Sequence, residues 1–210
     1  LFVKELEVAL EEGRADLVAL YYIMDPKLVE LGLMESIEVG KAEYDGYLRN
    51  GMLVQLRRLK VGEDIEEAHM RNRAWVSNWL YEKGMKDSVI VKEVRDGKTF
   101  IDIRDYDKMR VLVGELLKEV QRITSSGDYE AAKALCDGYG KKVDQKLHKE
   151  VIDRSDKLNI PPYAGFMNPV LEPVMDANGN ITDIKVTYMD KFAEQMLMYS
   201  KNYGFLAPKK

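Results

Sequence analysis

Apolar positions along this chain recur with two different periods. From Leu6 to Met24 they fall at helical spacing, so a first helix is predicted there. Asp25-Pro26 restarts the chain, since Asp25 is placed to cap a new helix and Pro26 suits its first position; Gly32 ends that short segment. A longer helix is predicted from Ser36 to Leu59, with Leu48, Met52, Leu56 and Leu59 as its buried stripe. Gly40, Gly46 and Gly51 interrupt it, which fits either close packing against a neighbouring helix or a kink. Gly62 closes that stretch. Asp64 with Glu67 three residues later has the spacing of a capping box, so the next helix is expected from Ile65 to Lys83, with Gly84 terminating it.

From Ser88 the period drops to 2. Val89, Val91, Phe100, Ile101 and Ile103 flank Arg95-Asp96-Gly97-Lys98, and Asp-Gly between such runs predicts a hairpin over 88–103, laid on a helical body. Asp105 then caps a helix whose stripe is Met109, Leu112, Val113, Leu116, Leu117, Val120 and Ile123, broken by Ser125-Ser126-Gly127. Asp128 starts another helix through Cys136, and Asp144 a further one through Leu147, Val151 and Leu158. Ile160-Pro161-Pro162-Tyr163-Ala164-Gly165 cannot continue a helix and is expected to run extended. Pro169 to Met175 and Ile181 to Tyr188 flank Asp176-Ala177-Asn178-Gly179-Asn180, and the Asn-Gly step predicts a second hairpin within the segment 159–188. A last amphipathic helix follows Asp190 in 189–210, with Phe192, Met196, Leu197 and Tyr199 available for burial; Phe205 to Lys210 should fray. The expected fold is mainly α, bundle-like, with two small β-hairpins, and without repeat or linker it reads as one compact unit.

Composition narrows the function classes. Apolar residues are 46% and charged residues 32% of 210, enough for a packed core. Lys plus Arg number 32 against 36 Asp plus Glu, a net charge of −4, which gives no field for nucleic acid or an anionic membrane. The local cluster Arg57, Arg58 and Lys60 reads as a solvated helix end. The longest apolar run, Leu17 to Met24, is far short of the roughly twenty residues that span a bilayer. Cys136 is the only cysteine, which excludes an intrachain disulfide and a thiolate cluster and is compatible with a reducing, cytoplasmic setting.

Candidate chemistry concentrates in two places. In Glu11-Glu12-Gly13-Arg14-Ala15-Asp16, Glu12 and Asp16 are four apart and share one helix face, while Glu11 is turned by about 100° from Glu12. This is either a solvated face with local ion pairs or a metal-ligating glutamate with orienting acids beside it. On the later helix His69, Arg73, Val76 and Leu80 share a face. His69 there is either a core-edge histidine bonded to a carbonyl, with Arg73 reaching outward to solvent, or a working pair. His148, beside Lys149 and Glu150, looks solvated and is given no role. His69 and His148 are the only histidines and no H-E-x-x-H is present, so local spacing cannot complete a zinc site of two histidines and a glutamate.

Several stretches together resemble one family. Glu11-Glu12-Gly13-Arg14-Ala15-Asp16, followed by Leu20-Tyr21-Tyr22, resembles the E-E-x-R-A-[E/D] element of the dipeptidyl peptidase III zinc exopeptidases. Glu67-Ala68-His69-Met70-Arg71-Asn72-Arg73 resembles that family's histidine helix. Asp96-Gly97-Lys98-Thr99, Ser126-Gly127-Asp128-Tyr129-Glu130-Ala131 and Tyr163-Ala164-Gly165-Phe166-Met167-Asn168-Pro169 are similar to the C-terminal part of its bacterial branch. The resemblance implies a helical zinc-peptidase lobe in which Glu12 ligates zinc and Glu11 and Asp16 orient the metal-binding histidines. It further implies that His69 bonds the tetrahedral intermediate as a catalytic residue and that Arg73 binds substrate. The implied reaction releases dipeptides from the amino terminus of oligopeptides, with zinc polarising the carbonyl and activating water.

This sequence also departs from the family pattern. The family's H-E-x-x-G-H element, which carries both histidine ligands and the catalytic glutamate, precedes the glutamate element, and only ten residues precede Glu11 here. Gly13 stands where alanine or cysteine is expected. The chain is therefore expected to be the C-terminal portion of such a peptidase, with a missing N-terminal lobe and an oligopeptide as its partners. By itself it should be inactive and should hold zinc weakly if at all. The alternative from a different class is a stand-alone, non-catalytic helical interaction domain derived from such a lobe.

Overall fold

In a computed structural model the described residues are 4–160 and 168–206, and they form mainly helix with two separate two-stranded antiparallel ribbons. The elements are α1 (Lys4–Ile23), α2 (Pro26–Glu30), α3 (Ile37–Met52), a 3-10 turn (Val54–Arg58), α4 (Ala68–Gly84), β1 (Ile90–Arg95), β2 (Lys98–Ile103), α5 (Tyr106–Ser126), α6 (Tyr129–Gly140), α7 (Gln145–Lys157), β3 (Val170–Met175), β4 (Ile181–Thr187) and α8 (Phe192–Tyr203). Instead of one compact unit, the chain divides into two, 1–161 and 162–210.

In the first unit α4 is the central helix, packed against α1, α3, α5 and α6. Its neighbours bury it on several sides: Met70, Asn72, Ala74, Trp75, Val76, Ser77 and Leu80 are all inaccessible. The stripe of α1, Leu6, Ala9, Leu10, Gly13, Leu17 and Leu20, recurs at three- and four-residue steps and faces this core. Val113, Leu116, Val120 and Ile123 of α5 do the same. Gly40 and Gly51 are explained by close approach. A Cβ at Gly40 would lie 2.7 Å from Ile23 O, and one at Gly51 2.4 Å from Arg73 O. Among the described residues nothing within reach explains Gly46.

The predicted helix from Ser36 to Leu59 is two pieces. α3 stops at Met52, Leu53 leaves helical geometry, and the chain tightens into the 3-10 turn. The predicted Asp64–Glu67 capping box is also replaced. Ile65 N donates to Lys141 O (2.9 Å) and Asp64 pairs with Lys142, so tertiary contacts hold residues 60–66 away from helix. α4 begins at Ala68 with Glu67 as its own cap, its carboxylate accepting from the amides of His69 and Met70 at 2.9 Å each.

The β1–β2 ribbon turns at Asp96 and Gly97, both with positive φ (50° and 70°), the type I′ geometry that Asp-Gly favours. Thr99, Ile101 and Ile103 face inward. α6 runs four residues beyond its expected end at Cys136.

The second unit consists of the β3–β4 ribbon, with a bulge at Val174/Met175, and α8. Asp176 organises its turn by accepting from the amides of Asn178 and Asn180 (2.8 and 2.9 Å). In α8, Phe192 and Leu197 are exposed and Met196 and Tyr199 half-buried; the buried side chain is Gln195, which bonds the backbone of Asn168 through both its amide groups. Gly204–Leu206 forms a short 3-10 turn. Of the run expected to be extended from Ile160 to Gly165, residues 161–165 lie outside the described residues, as do most of the Tyr163–Pro169 stretch and 207–210 of the expected fraying end. Among the described residues, no helix is long and apolar enough to cross a membrane.

Candidate functional site

Trp75 sets the distance between α1 and α4. Its indole N–H donates to Ala9 O (3.2 Å), and its ring occupies the space a side chain at residue 13 would need: a Cβ there would lie 1.9 Å from Trp75 Cζ2. Gly13 thus lets α1 lie directly on the tryptophan. The contact puts Glu12, one residue earlier and turned by about 100°, toward the N-terminal end of α4. Glu12 Oε2 lies 3.5 Å from His69 Nδ1. Both side chains are accessible, 40% and 57% exposed, so the pair stands at an open surface where water screens it. His69 is therefore neither a core-edge residue nor a partner of a backbone carbonyl among the described residues.

Asp16, one turn on from Glu12, is fixed by two donors. Tyr47 Oη on α3 and Asn72 Nδ2 on α4 both donate to Asp16 Oδ2, at 2.8 and 2.9 Å. Burial, with the Asp16 charge and hydrogen bond adding to it, holds the Tyr47 phenol well above its usual range against the opposing Arg73 charge. Tyr47 is thus a donor at any pH near neutral. Both bonds fall on Oδ2, so among the described residues Oδ1 of the same carboxylate remains for a further donor. Among the described residues the buried Asn72 Oδ1 also lacks a partner. Arg73, one turn after His69 and half-buried, is near enough for its charge to act on Tyr47. Glu11 is turned elsewhere: Arg14 binds it through Nε and Nη2 (3.1 and 2.7 Å) on the same helix.

The structure therefore brings Glu12, Asp16, His69 and Arg73 to one edge of the α1–α4 contact and leaves Glu11 in a local ion pair. Sequence reading missed Tyr47, Asn72 and Trp75. Asn72 stood inside the recognised histidine stretch, and the glycine at residue 13 was the only trace of the tryptophan. His148 is corrected outright. It is fully buried, and its Nε2 bonds the carbonyls of Leu56 and Leu59 (2.9 and 3.1 Å), so it closes the end of the 3-10 turn. Two carbonyl acceptors require Nε2 to carry the proton.

Tetrahedral zinc needs four donors. Among the described residues no three His, Cys, Asp or Glu side chains converge, and Glu12 offers a single carboxylate. This donor set alone does not fit the metal, and no chemical step through it follows from this chain. Residues 2–157 match the model of Peptidase family M49. No curated protein matches the chain.

Proposed function

Since the chain belongs to peptidase family M49, we propose that it is part of a zinc-dependent dipeptidyl peptidase that acts on the amino terminus of oligopeptides in the cytoplasm. In this reading Glu12 is one zinc ligand, and the two histidine ligands and the catalytic glutamate come from an H-E-x-x-G-H element outside these 210 residues. Asp16 accepts from the outer ring nitrogen of such a histidine, fixing its tautomer. Glu11 is its counterpart once released from Arg14. His69 donates to the oxyanion that develops on the scissile carbonyl, and Arg73 holds the substrate.

One observation carries the reading: Asp16 is locked by Tyr47 and Asn72 through a single oxygen. A carboxylate on a merely solvated face has no need of two donors from two other helices, one buried and one half-buried. A carboxylate that must present its second oxygen in a fixed direction does.

In the intact protein, Glu12→Ala should abolish both bound zinc and dipeptide release. His69→Ala should keep its zinc and lose about 10²–10³ in turnover, the usual effect of one lost oxyanion donor. Metal content by atomic emission and cleavage of a dipeptidyl-arylamide read the two quantities separately. Equal metal loss in both variants would overturn the roles given to Glu12 and His69. The 210-residue chain binding stoichiometric zinc and releasing dipeptides alone would overturn the division of the site between this chain and another segment.

A further inference from the structure

Two residues after Tyr47, Arg49 leaves the opposite side of α3 and enters a second concavity, separate from the Glu12–His69 edge. This groove, of about 460 Å³, lies between the end of α3, the 3-10 turn, β2 and α7. Its size is that of a small-ligand pocket. Its apolar lining is Leu53, Ile101 and Val151, buried, with Phe100 half-buried and Val54 and Leu158 exposed at the rim.

Three arginines line the groove, and two of them are already neutralised. Arg49 pairs with Asp45 and Asp102 (3.2 and 3.3 Å). Arg154 donates to Thr99 O and to Glu150 Oε1 (2.8 and 3.0 Å) and lies over the Phe100 ring. Asp102 also takes Arg95 at 2.7 Å. With Arg57, four guanidinium groups thus stand against three carboxylates. Arg57 is the one left over: it makes no ion pair among the described residues, and its Nε is enclosed without an acceptor. The cluster Arg57, Arg58 and Lys60, expected as a solvated helix end, is therefore split. Lys60 is exposed to water, while Arg57 is half-buried in the groove wall.

A partly enclosed, unpaired guanidinium beside an apolar floor has a defined complement. It selects a carboxylate, which it can bind through two parallel hydrogen bonds, attached to an apolar body that covers Val151 and Leu158. Arg49 and Arg154, with their own acids in place, add no further net attraction and leave room for one negative charge. We propose that this groove binds a small monocarboxylate with an apolar tail, either a free aryl or alkyl acid or the C-terminal carboxylate of a short peptide ending in an apolar residue. The site is independent of the peptidase reading, because it needs neither zinc nor Glu12.

The test is titration calorimetry on the 210-residue chain with 4-phenylbutyrate and with N-acetyl-leucyl-leucine, each paired with its carboxamide. At least one acid should bind with one-to-one stoichiometry and its amide at least about tenfold more weakly; the tighter acid identifies the source. Arg57→Gln should weaken the acid by a similar factor. Leu158→Glu, at a rim position 69% exposed and so without consequence for folding, should weaken it too by placing a like charge at the mouth. The proposal is overturned if neither acid binds, if acids and amides bind alike, or if both variants, with unchanged melting temperature, bind as the parent does.

Discussion

Gly13 carries more of the geometry than its size suggests. Alanine is the better helix former by up to about 1 kcal/mol, so an exposed glycine in α1 would be improved by it. Here a Cβ meets Trp75 at 1.9 Å, and the indole has little room to retreat, being fully buried with its N–H bonded to Ala9 O. Gly13→Ala should therefore destabilise the protein by about 1–3 kcal/mol, the usual cost of overpacking, as measured by urea unfolding. In a Trp75→Leu background the same change should cost much less, because the two sites share one space. Cys136 gives a second residue-scale expectation. Burial pushes its thiol up to about 12, so thiolate is scarce at pH 8 and a disulfide reagent should react only as fast as the protein opens. Rapid labelling of the native chain would contradict the packing of α6. Single residues were also where the sequence was hardest to read. Lys149 and Glu150 made His148 look solvated, yet adjacent helix positions point about 100° apart. The informative neighbour was Val151, three residues on and buried on the same face. Tyr47 could not be tied to Asp16 because 31 positions separate them.

Helices and ribbons were legible wherever one local rule decided them. The stripe of α5, the Asp-Gly turn and the Asp105, Asp128 and Asp144 caps all formed as expected, each cap accepting backbone N–H bonds from the following turn. The Asp64–Glu67 pattern failed because a distant carbonyl, that of Lys141, accepts from the amide of Ile65 instead. Asp64→Ala should accordingly change stability by no more than about 0.5 kcal/mol, as for an exposed ion pair, whereas Glu67→Ala removes the observed cap and should cost about 1 kcal/mol. Reversed magnitudes in thermal melts would restore the capping box. The join between α7 and β2 should be pH-dependent. Burial works to raise the Glu150 carboxyl, but the Thr99 hydroxyl, the Thr99 amide and Arg154 together hold it below its usual range. A depressed value stabilises the fold above the unfolded carboxyl's pKa, near 4.3, and that contribution disappears as pH falls through the folded value. Glu150→Gln should then be about 1–2 kcal/mol less stable near neutrality, with the gap closing in acid; a gap constant with pH would remove the charge from the explanation.

At the scale of the whole chain, the buried apolar residues are distributed unevenly. Every one of them among the described residues lies between Leu6 and Val151. In 168–206 the buried side chain is Gln195, while Leu171, Ile181, Ile184 and Val186 of the ribbon and Phe192 and Leu197 of the helix remain accessible. The sequence concealed this division, because the ribbon and α8 carry as many apolar residues as a packed element would. Alternation and helical period report that an element has an apolar face, not that anything covers it. A two-stranded ribbon and one helix without an apolar interior fall below what stable folding requires, whereas α1 to α7 surround a continuous core. Residues 1–161 alone should therefore unfold cooperatively, with a melting temperature within a few degrees of the 210-residue chain. Residues 162–210 alone should show neither a cooperative transition by circular dichroism nor dispersed amide resonances. If the shorter chain instead bound a hydrophobic dye and melted without a transition, the core drawn from Leu6 to Val151 would not be sufficient to hold the α1–α4 contact, nor Glu12 beside His69.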